Sequence, residues 1–138
     1  MTLEERVDEL KSDFDLFEDA NDKFEYIFDL GKAHSRLKEE ERTDENYIQK
    51  CASDAWLVGE CSNGVIHLRG EGTSEMAKGM IVMLLSIFSD RTAKEILSFN
   101  PQDLNKIGII ELLSPVRQQS LEAFLNKVYG YARECVEN

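Results

Sequence analysis

The fold is decided by residues 55–69, which read AWLVGECSNGVIHLR. Residues 55–58 are rich in side chains that favour strands, and Asn63-Gly64 is a strong hairpin-turn dipeptide. Residues 65–69 have the composition of a returning strand, in which alternate side chains fall on opposite faces. The stretch therefore predicts an antiparallel hairpin, which we expect to loosen at Gly70 and Gly72.

Helical periodicity and capping residues surround this hairpin on both sides. Thr2 and Glu5 form a capping-box pattern, and Gly31 is suited to end a second helix. Ser114-Pro115 combines a capping residue with proline at the first helical position. The pattern predicts helices over residues 3–14, about 24–30, 76–88 and 115–136, with shorter ones after Thr92 and after Asn100.

This order of elements predicts one α+β domain over residues 1–138. We expect a short antiparallel sheet of about three strands, with helices packed on one face. The segment 76–88 is apolar on most sides, which is typical of a central, buried helix. No internal repeat or low-complexity linker interrupts the chain.

The charge of the chain limits the kinds of partner it can have. The chain has 16 Lys and Arg residues and 27 Asp and Glu residues, which gives a formal net charge of −11. Such a surface repels nucleic acid, whereas it either attracts a protein with a basic patch or only keeps the domain soluble. No apolar run is long enough for a bilayer, and the acidic N-terminus does not resemble a signal peptide. We therefore expect a cytoplasmic protein that binds neither nucleic acid nor membrane; whether it forms a homodimer stays open.

Three cysteines occur, at positions 51, 61 and 135. An odd number in a reducing compartment argues against a disulfide framework, and none of the spacings is that of a zinc knuckle. Cys135 lies where fraying of the C-terminus is expected, so it is assigned no role. Cys61, beside the predicted turn, is either a second thiol that resolves Cys51 or a residue that only flanks the turn.

Cys51 stands at a polar-to-apolar junction just before the first strand. A thiolate there can attack a sulfur atom carried by another protein, and the adjacent Lys50 favours the thiolate if its side chain approaches. The alternative is a small buried hydrophobic residue at the start of a strand. A metal site of Cys51, Cys61 and His67 is conceivable by ligand type but has no support from spacing.

The residues around Cys51 have alternative interpretations as well. Asp54 and Glu71 are either polar partners of the cysteine loop or solvated surface acids. Trp56 and Tyr47 either enclose a dry pocket for a persulfide or belong to the core.

Four segments resemble, in order, motifs of the SufE/CsdE family of sulfur-acceptor proteins. Residues 46–58, NYIQKCASDAWLV, are similar to the family's Gly-Cys-x-Ser-x-x-Trp loop and the strand after it. Residues 24–32 are similar to a helix that ends in Leu-Gly, and residues 78–81 to a Lys-Gly-Leu helix. Residues 113–117 are similar to a Leu-Ser/Thr-Pro-x-Arg segment, so the resemblance runs along nearly the whole chain.

The resemblance implies a fold shared with IscU-type scaffold proteins and a role for Cys51 as a persulfide acceptor. The donor would be a SufS- or CsdA-type cysteine desulfurase whose turnover the protein raises, and the recipient a SufBCD-type complex. Pyridoxal phosphate would belong to the partner, so no cofactor is expected here and the protein would not itself be an enzyme. Lys50, Ser53, Asp54, Trp56 and Arg117 are the candidate residues that support the loop or contact the partner.

The chain departs from the family pattern at three places. Lys50 replaces the glycine before the cysteine, where glycine tolerates backbone angles that lysine does not. Leu112 stands where many members have histidine, and residues 70–73 read Gly-Glu-Gly-Thr in place of Gly-Asp-Ser-Asp. Two other functions remain as alternatives: an Fe–S or zinc scaffold of IscU-like fold, and a regulator that docks on a desulfurase without using Cys51.

Overall fold

The computed structural model describes residues 1–137, which fold into five α-helices and a three-stranded sheet. In chain order these elements are α1 (Leu3–Asp15), α2 (Ala20–Leu30), β1 (Ala55–Ser62), β2 (Val65–Gly72), α3 (Glu75–Phe88), β3 (Arg91–Thr92), α4 (Ala93–Ser98) and α5 (Pro115–Glu137). Short 3₁₀ helices cover Gly31–Ala33, Glu39–Glu41, Pro101–Ile107 and Ile110–Leu112. The predicted α+β architecture is confirmed. Among the described helices, none has both the length and the apolar character that crossing a bilayer requires.

The predicted hairpin forms the centre of the sheet. Strands β1 and β2 are antiparallel from Ala55 opposite Gly72 to Ser62 opposite Val65, and β3 adds to the other edge of β2. Asn63 and Gly64 connect them with φ values of 53° and 80°. Two consecutive residues of positive φ match the right-handed twist of the strands, which is why an Asn-Gly pair is favoured at this turn.

The sequence prediction that the chain loosens at Gly70 and Gly72 is wrong, because both lie within β2. A Cβ atom on Gly72 would stand 2.7 Å from the Cβ of Ala77, and one on Gly70 would stand 3.2 Å from a methyl group of Ile81. These glycines therefore let helix α3 approach the strand closely.

The helices pack on one face of the sheet, as the sequence predicts. Ala55, Leu57, Ile66 and Leu68 point to that face and are buried. Helices α3 and α5 contact β2 and β1, and α1 packs against α3. On the opposite face Arg69 pairs with Glu41, so the segment before β1 crosses that side of the sheet.

Candidate functional site

The cysteine loop, residues 49–54, is held at its base by backbone hydrogen bonds. The N–H of Ile48 donates to the carbonyl of Ala55 at 2.9 Å, and the N–H of Leu57 donates to the carbonyl of Asn46 at 2.9 Å. The loop thus protrudes from a short ladder continuous with β1. Cys51 sits within it as a half-buried side chain, and it is the free cysteine of the described chain.

Helix α5 holds the cysteine loop through Ser120. The N–H of Ala52 donates to the Ser120 hydroxyl at 3.0 Å, while that hydroxyl lies 3.1 Å from the carbonyl of Val116 and 3.5 Å from the carbonyl of Lys50. Ser120 was not predicted from the sequence, because a serine 68 positions from Ala52 carries no local signal that it bonds to this loop.

An apolar cavity of about 60 Å³ lies beside the Cys51 side chain. Cys51, Ser53 and Arg117 line it, so the structure brings these three predicted residues together. Its remaining walls come from β1, α3, α5 and the residues just before β1 and α5, and include Ile48, Ala55, Met76, Met80, Leu84, Leu113, Leu121 and Phe124. The thiol therefore borders a largely apolar space.

The surroundings of Cys51 favour its neutral form. Burial raises the pKa of the thiol, a hydrogen bond with Ser120 lowers it by less, and the carboxylate of Asp54 raises it further. The charged group that acts on this pKa is the Asp54 carboxylate, so the predicted help from Lys50 is not observed.

Lys50 instead contributes a backbone feature. It has a φ of 63°, in the left-handed region that glycine adopts freely and lysine does not. The side chain is exposed. The loop therefore keeps a conformation suited to glycine although the residue is lysine.

Ser53 and Asp54 tie the loop to the start of α3. The Ser53 hydroxyl lies 3.0 Å from the hydroxyl of Ser74, which caps α3, and the carbonyl of Asp54 accepts the N–H of Thr73 at 3.1 Å. The Asp54 carboxylate is exposed and accepts a hydrogen bond from the Tyr47 hydroxyl at 2.9 Å. Both residues thus support the geometry of the loop.

Trp56 and Tyr47 do not enclose the cavity. Their rings meet edge to face, with centroids 5.8 Å apart. Trp56 is opposite Glu71 in the ladder, and side chains opposite each other share a face, which here is the one away from the main core. The prediction of an aromatic pocket wall is therefore wrong, because strand alternation sends Ala55 and Leu57 toward the cavity side and Trp56 to the other.

Glu71 is a buried structural acid, so both interpretations made from the sequence are wrong. It is 4% exposed; its carboxylate accepts the N–H of Leu37 at 2.7 Å and pairs with Arg42 at 3.1 Å. Burial pushes the pKa of Glu71 upward, but these two partners outweigh burial and hold the pKa below its usual value. The acid fixes the segment that crosses the outer face of the sheet.

Cys61 and Cys135 form a disulfide, which corrects the expectation of three separate thiols. Cys61 is on the same sheet face as Ile66, and helix α5 brings Cys135 to it with a Cα–Cα distance of 5.6 Å. Cys135 is 7% exposed and helical, so the predicted fraying of this end is wrong as well. Neither cysteine is available as a resolving thiol while the disulfide is intact.

The conceivable metal site of Cys51, Cys61 and His67 is contradicted by the same bond. His67 Nδ1 lies 2.7 Å from a carboxylate oxygen of Asp90, at the exposed outer face. Residues 1–137 contain no cluster of three His, Cys, Asp or Glu side chains arranged to hold a metal ion.

A comparison with protein families matches residues 8–132 to the SufE family, described as an Fe–S metabolism associated domain. An uncharacterized SufE-like protein of Rhizobium etli is 32% identical over 132 residues, which cover 92% of this chain and 89% of that protein. One of Rhizobium meliloti is 32% identical over 131 residues, covering 91% and 94%.

Among solved structures, this chain is similar to the solution structure of a hypothetical protein from Thermus thermophilus. The TM-score is 0.78 at 12% identity, over 96% of this chain and 97% of that one. This likeness supports the fold.

Proposed function

The chain belongs to the SufE family of Fe–S metabolism proteins, and from that membership we propose that Cys51 accepts sulfur from a cysteine desulfurase as a persulfide. The observation that carries the proposal is the placement of Cys51. It is a free thiol on a protruding loop, bordered by an apolar cavity and held by Ser120 of α5.

The transfer is a thiol–persulfide exchange without net oxidation. The Cys51 thiol loses its proton to solvent, and its thiolate attacks the terminal sulfur of the donor's persulfide. A sulfur–sulfur bond forms at Cys51 while the one in the donor breaks, and the donor cysteine leaves as a thiolate. The donor is thereby cleared for its next turnover, which is how an acceptor raises the rate of a desulfurase.

The raised pKa of Cys51 adds a requirement to this step. At neutral pH the thiol is mostly protonated, because burial disfavours its charged form. Only the thiolate is the nucleophile, so we expect the attack to become faster as pH rises toward the thiol pKa. A partner that docks over the loop and supplies positive charge would lower that pKa, which agrees with the acidic surface of this chain.

The cavity has room for the persulfide that the transfer would form on Cys51. A cavity of about 60 Å³ exceeds the ~10–15 Å³ that a single water needs, so one additional sulfur atom fits beside Cys51. Its apolar lining keeps water-borne thiols from the persulfide until a recipient docks. In this proposal the donor is a SufS- or CsdA-type desulfurase, which carries the pyridoxal phosphate, and the recipient is a SufBCD-type complex.

The scaffold alternative loses its main support in this structure. A cluster held by three cysteines would need Cys61 and Cys135 as free ligands, and these two are bonded to each other. The regulator alternative makes a different prediction, because a protein that only docks would stimulate the desulfurase without Cys51.

Desulfurase turnover with substitutions in the loop separates these functions. We expect wild type to raise alanine and sulfide production by a cognate desulfurase, and Cys51→Ser to have no such effect while it keeps the fold. Gln49→Ala is the matched control, since Gln49 is exposed in the same loop. Stimulation by Cys51→Ser equal to that by wild type would establish the regulator instead.

A further inference from the structure

A second pocket, of about 380 Å³, is lined mostly by charged and polar residues and lies next to the start of α3. Side chains of His34, Arg36, Glu71, Thr73 and Lys78 line it. Two of these five are cations, in a chain whose net charge is −11. The pocket is therefore a local exception to the acidic character of the protein.

Lys78 has no polar partner in residues 1–137 although its side chain is half-buried. Its ammonium group makes neither an ion pair nor a hydrogen bond there, and among half-buried lysines and arginines only Arg117 shares this property. No side-chain nitrogen or oxygen of the described residues is both buried and without a partner, so the unpaired ammonium nitrogen of Lys78 is open to solvent. It is therefore accessible to an anion from outside the chain.

The acid in the pocket does not supply this anion. One oxygen of Glu71 accepts the N–H of Leu37 at 2.7 Å, and the other pairs with Arg42 at 3.1 Å. Arg36 stands 4.0 Å from Glu71 and is 77% exposed, so its guanidinium is largely free to bind elsewhere. Because Arg42 already balances Glu71, the charges of Arg36 and Lys78 are in excess.

His34 adds a hydrogen-bond donor to these two cations. Its Nε2 accepts the N–H of Gly72 at 3.1 Å, which places the proton of the neutral ring on Nδ1. Within the described residues Nδ1 has no partner. Burial lowers the pKa of His34, and the positive charges of Lys78 and Arg36 lower it further. The negative charge of Glu71 raises this pKa but does not outweigh the other effects. The ring is therefore neutral at pH 7 and donates from Nδ1.

We propose that this pocket binds a small oxyanion, a phosphate or a carboxylate, between Lys78, Arg36 and the Nδ1–H of His34. The two cations supply the attraction, and the imidazole supplies a directed hydrogen bond of the charge-assisted kind. The site is independent of sulfur chemistry at Cys51. It is nevertheless joined to the cysteine loop, because the N–H of Thr73 donates to the carbonyl of Asp54.

Titration with inorganic phosphate at constant ionic strength, followed by ¹H–¹⁵N NMR, tests the site. We expect saturable shifts at Gly72, Thr73 and the imidazole of His34, with a rise of the His34 pKa as the anion offsets the charge of Lys78. Acetate in place of phosphate shows which oxyanion is preferred. Shifts that grow linearly to the highest concentration with both anions would overturn the proposal.

Two variants and a control make the assignment specific. Lys78→Met keeps the apolar stem and should weaken phosphate binding by about tenfold, the equivalent of one charge-assisted hydrogen bond. Arg36→Gln alters an exposed side chain and should weaken binding without risk to the fold. Lys32→Met removes an exposed lysine that pairs with Asp29 and should change nothing. Equal affinities in all four proteins would contradict the site.

Discussion

Loss of the bond between Cys61 and Cys135 should destabilise the protein by several kcal/mol. The bond joins the last residues of β1 to the last turns of α5, across 74 positions of sequence. The same two elements also meet where the Tyr131 hydroxyl donates to the carbonyl of Leu57 at 3.0 Å. The disulfide therefore fastens the far end of the helix whose beginning holds the cysteine loop.

The magnitude follows from the length of chain that the bond closes. A crosslink across 74 positions restricts the unfolded chain by about 4.5 kcal/mol in the loop-entropy model, and measured losses are typically ~2–5 kcal/mol. With an m-value of ~2 kcal/mol/M in urea, the unfolding midpoint should fall by roughly 1–2.5 M on reduction. Cys61 is exposed, so a dithiol reductant can reach the bond in the folded state.

Urea unfolding with and without reductant measures this effect directly. Cys51→Ser serves as the background, because it removes the free thiol that would exchange with the disulfide. Cys61→Ser combined with Cys135→Ala should reproduce the midpoint of the reduced protein and no longer respond to reductant. Equal midpoints before and after reduction, or three titratable thiols in the folded wild type under oxidising conditions, would refute the reasoning.

Three further predictions concern the loop, the core and the charged face. Lys50→Gly should stabilise the protein by about 0.5–1 kcal/mol in urea unfolding, because the strain of a left-handed backbone at lysine exceeds the entropy cost of glycine. Gln49→Gly is the control and should destabilise the protein. A loss of stability in both variants would show that the backbone at Lys50 is not strained. Gly79→Ala should lower the free energy of unfolding by at least about 1–3 kcal/mol, since the new Cβ would stand 2.0 Å from the carbonyl oxygen of Ile27, where α2 and α3 touch. An unchanged urea midpoint would show that the two helices are farther apart than this. A hydrogen bond from Arg69, then one from the Lys38 N–H, lowers the pKa of Glu41 to about 2. Its stabilisation is therefore complete above about pH 4.5 and is lost as pH falls toward 2, and Glu41→Gln should flatten that part of the pH–stability curve.

The hairpin and the helices were predictable because their signals are local. Asn63-Gly64 sets a turn by its own backbone preferences, and Thr2 with Glu5 caps the start of α1 through hydrogen bonds within one turn of chain. The prediction for Gly72 was wrong because the contact that decides its role is not local. A glycine in a strand signals either a loosened chain or a close neighbour, and the neighbour, Ala77 of α3, is fixed only by tertiary packing.

The proposed nucleophile, Cys51, was predictable from the sequence, but the residue that supports its loop was not. Position and family resemblance single out Cys51, whereas Ser120 bonds to the loop across the fold. The disulfide was missed because the prediction rested on compartment and on an odd count of cysteines. Neither reveals that strand alternation turns Cys61 toward the helix that carries Cys135.

Peptide mass spectrometry of the protein after incubation with a cognate desulfurase and cysteine tests the central claim most directly. The account predicts added sulfur, in multiples of one atom, on the peptide that contains Cys51, and none there when the desulfurase is omitted. A Cys51 peptide that gains no sulfur while the desulfurase turns over would contradict it.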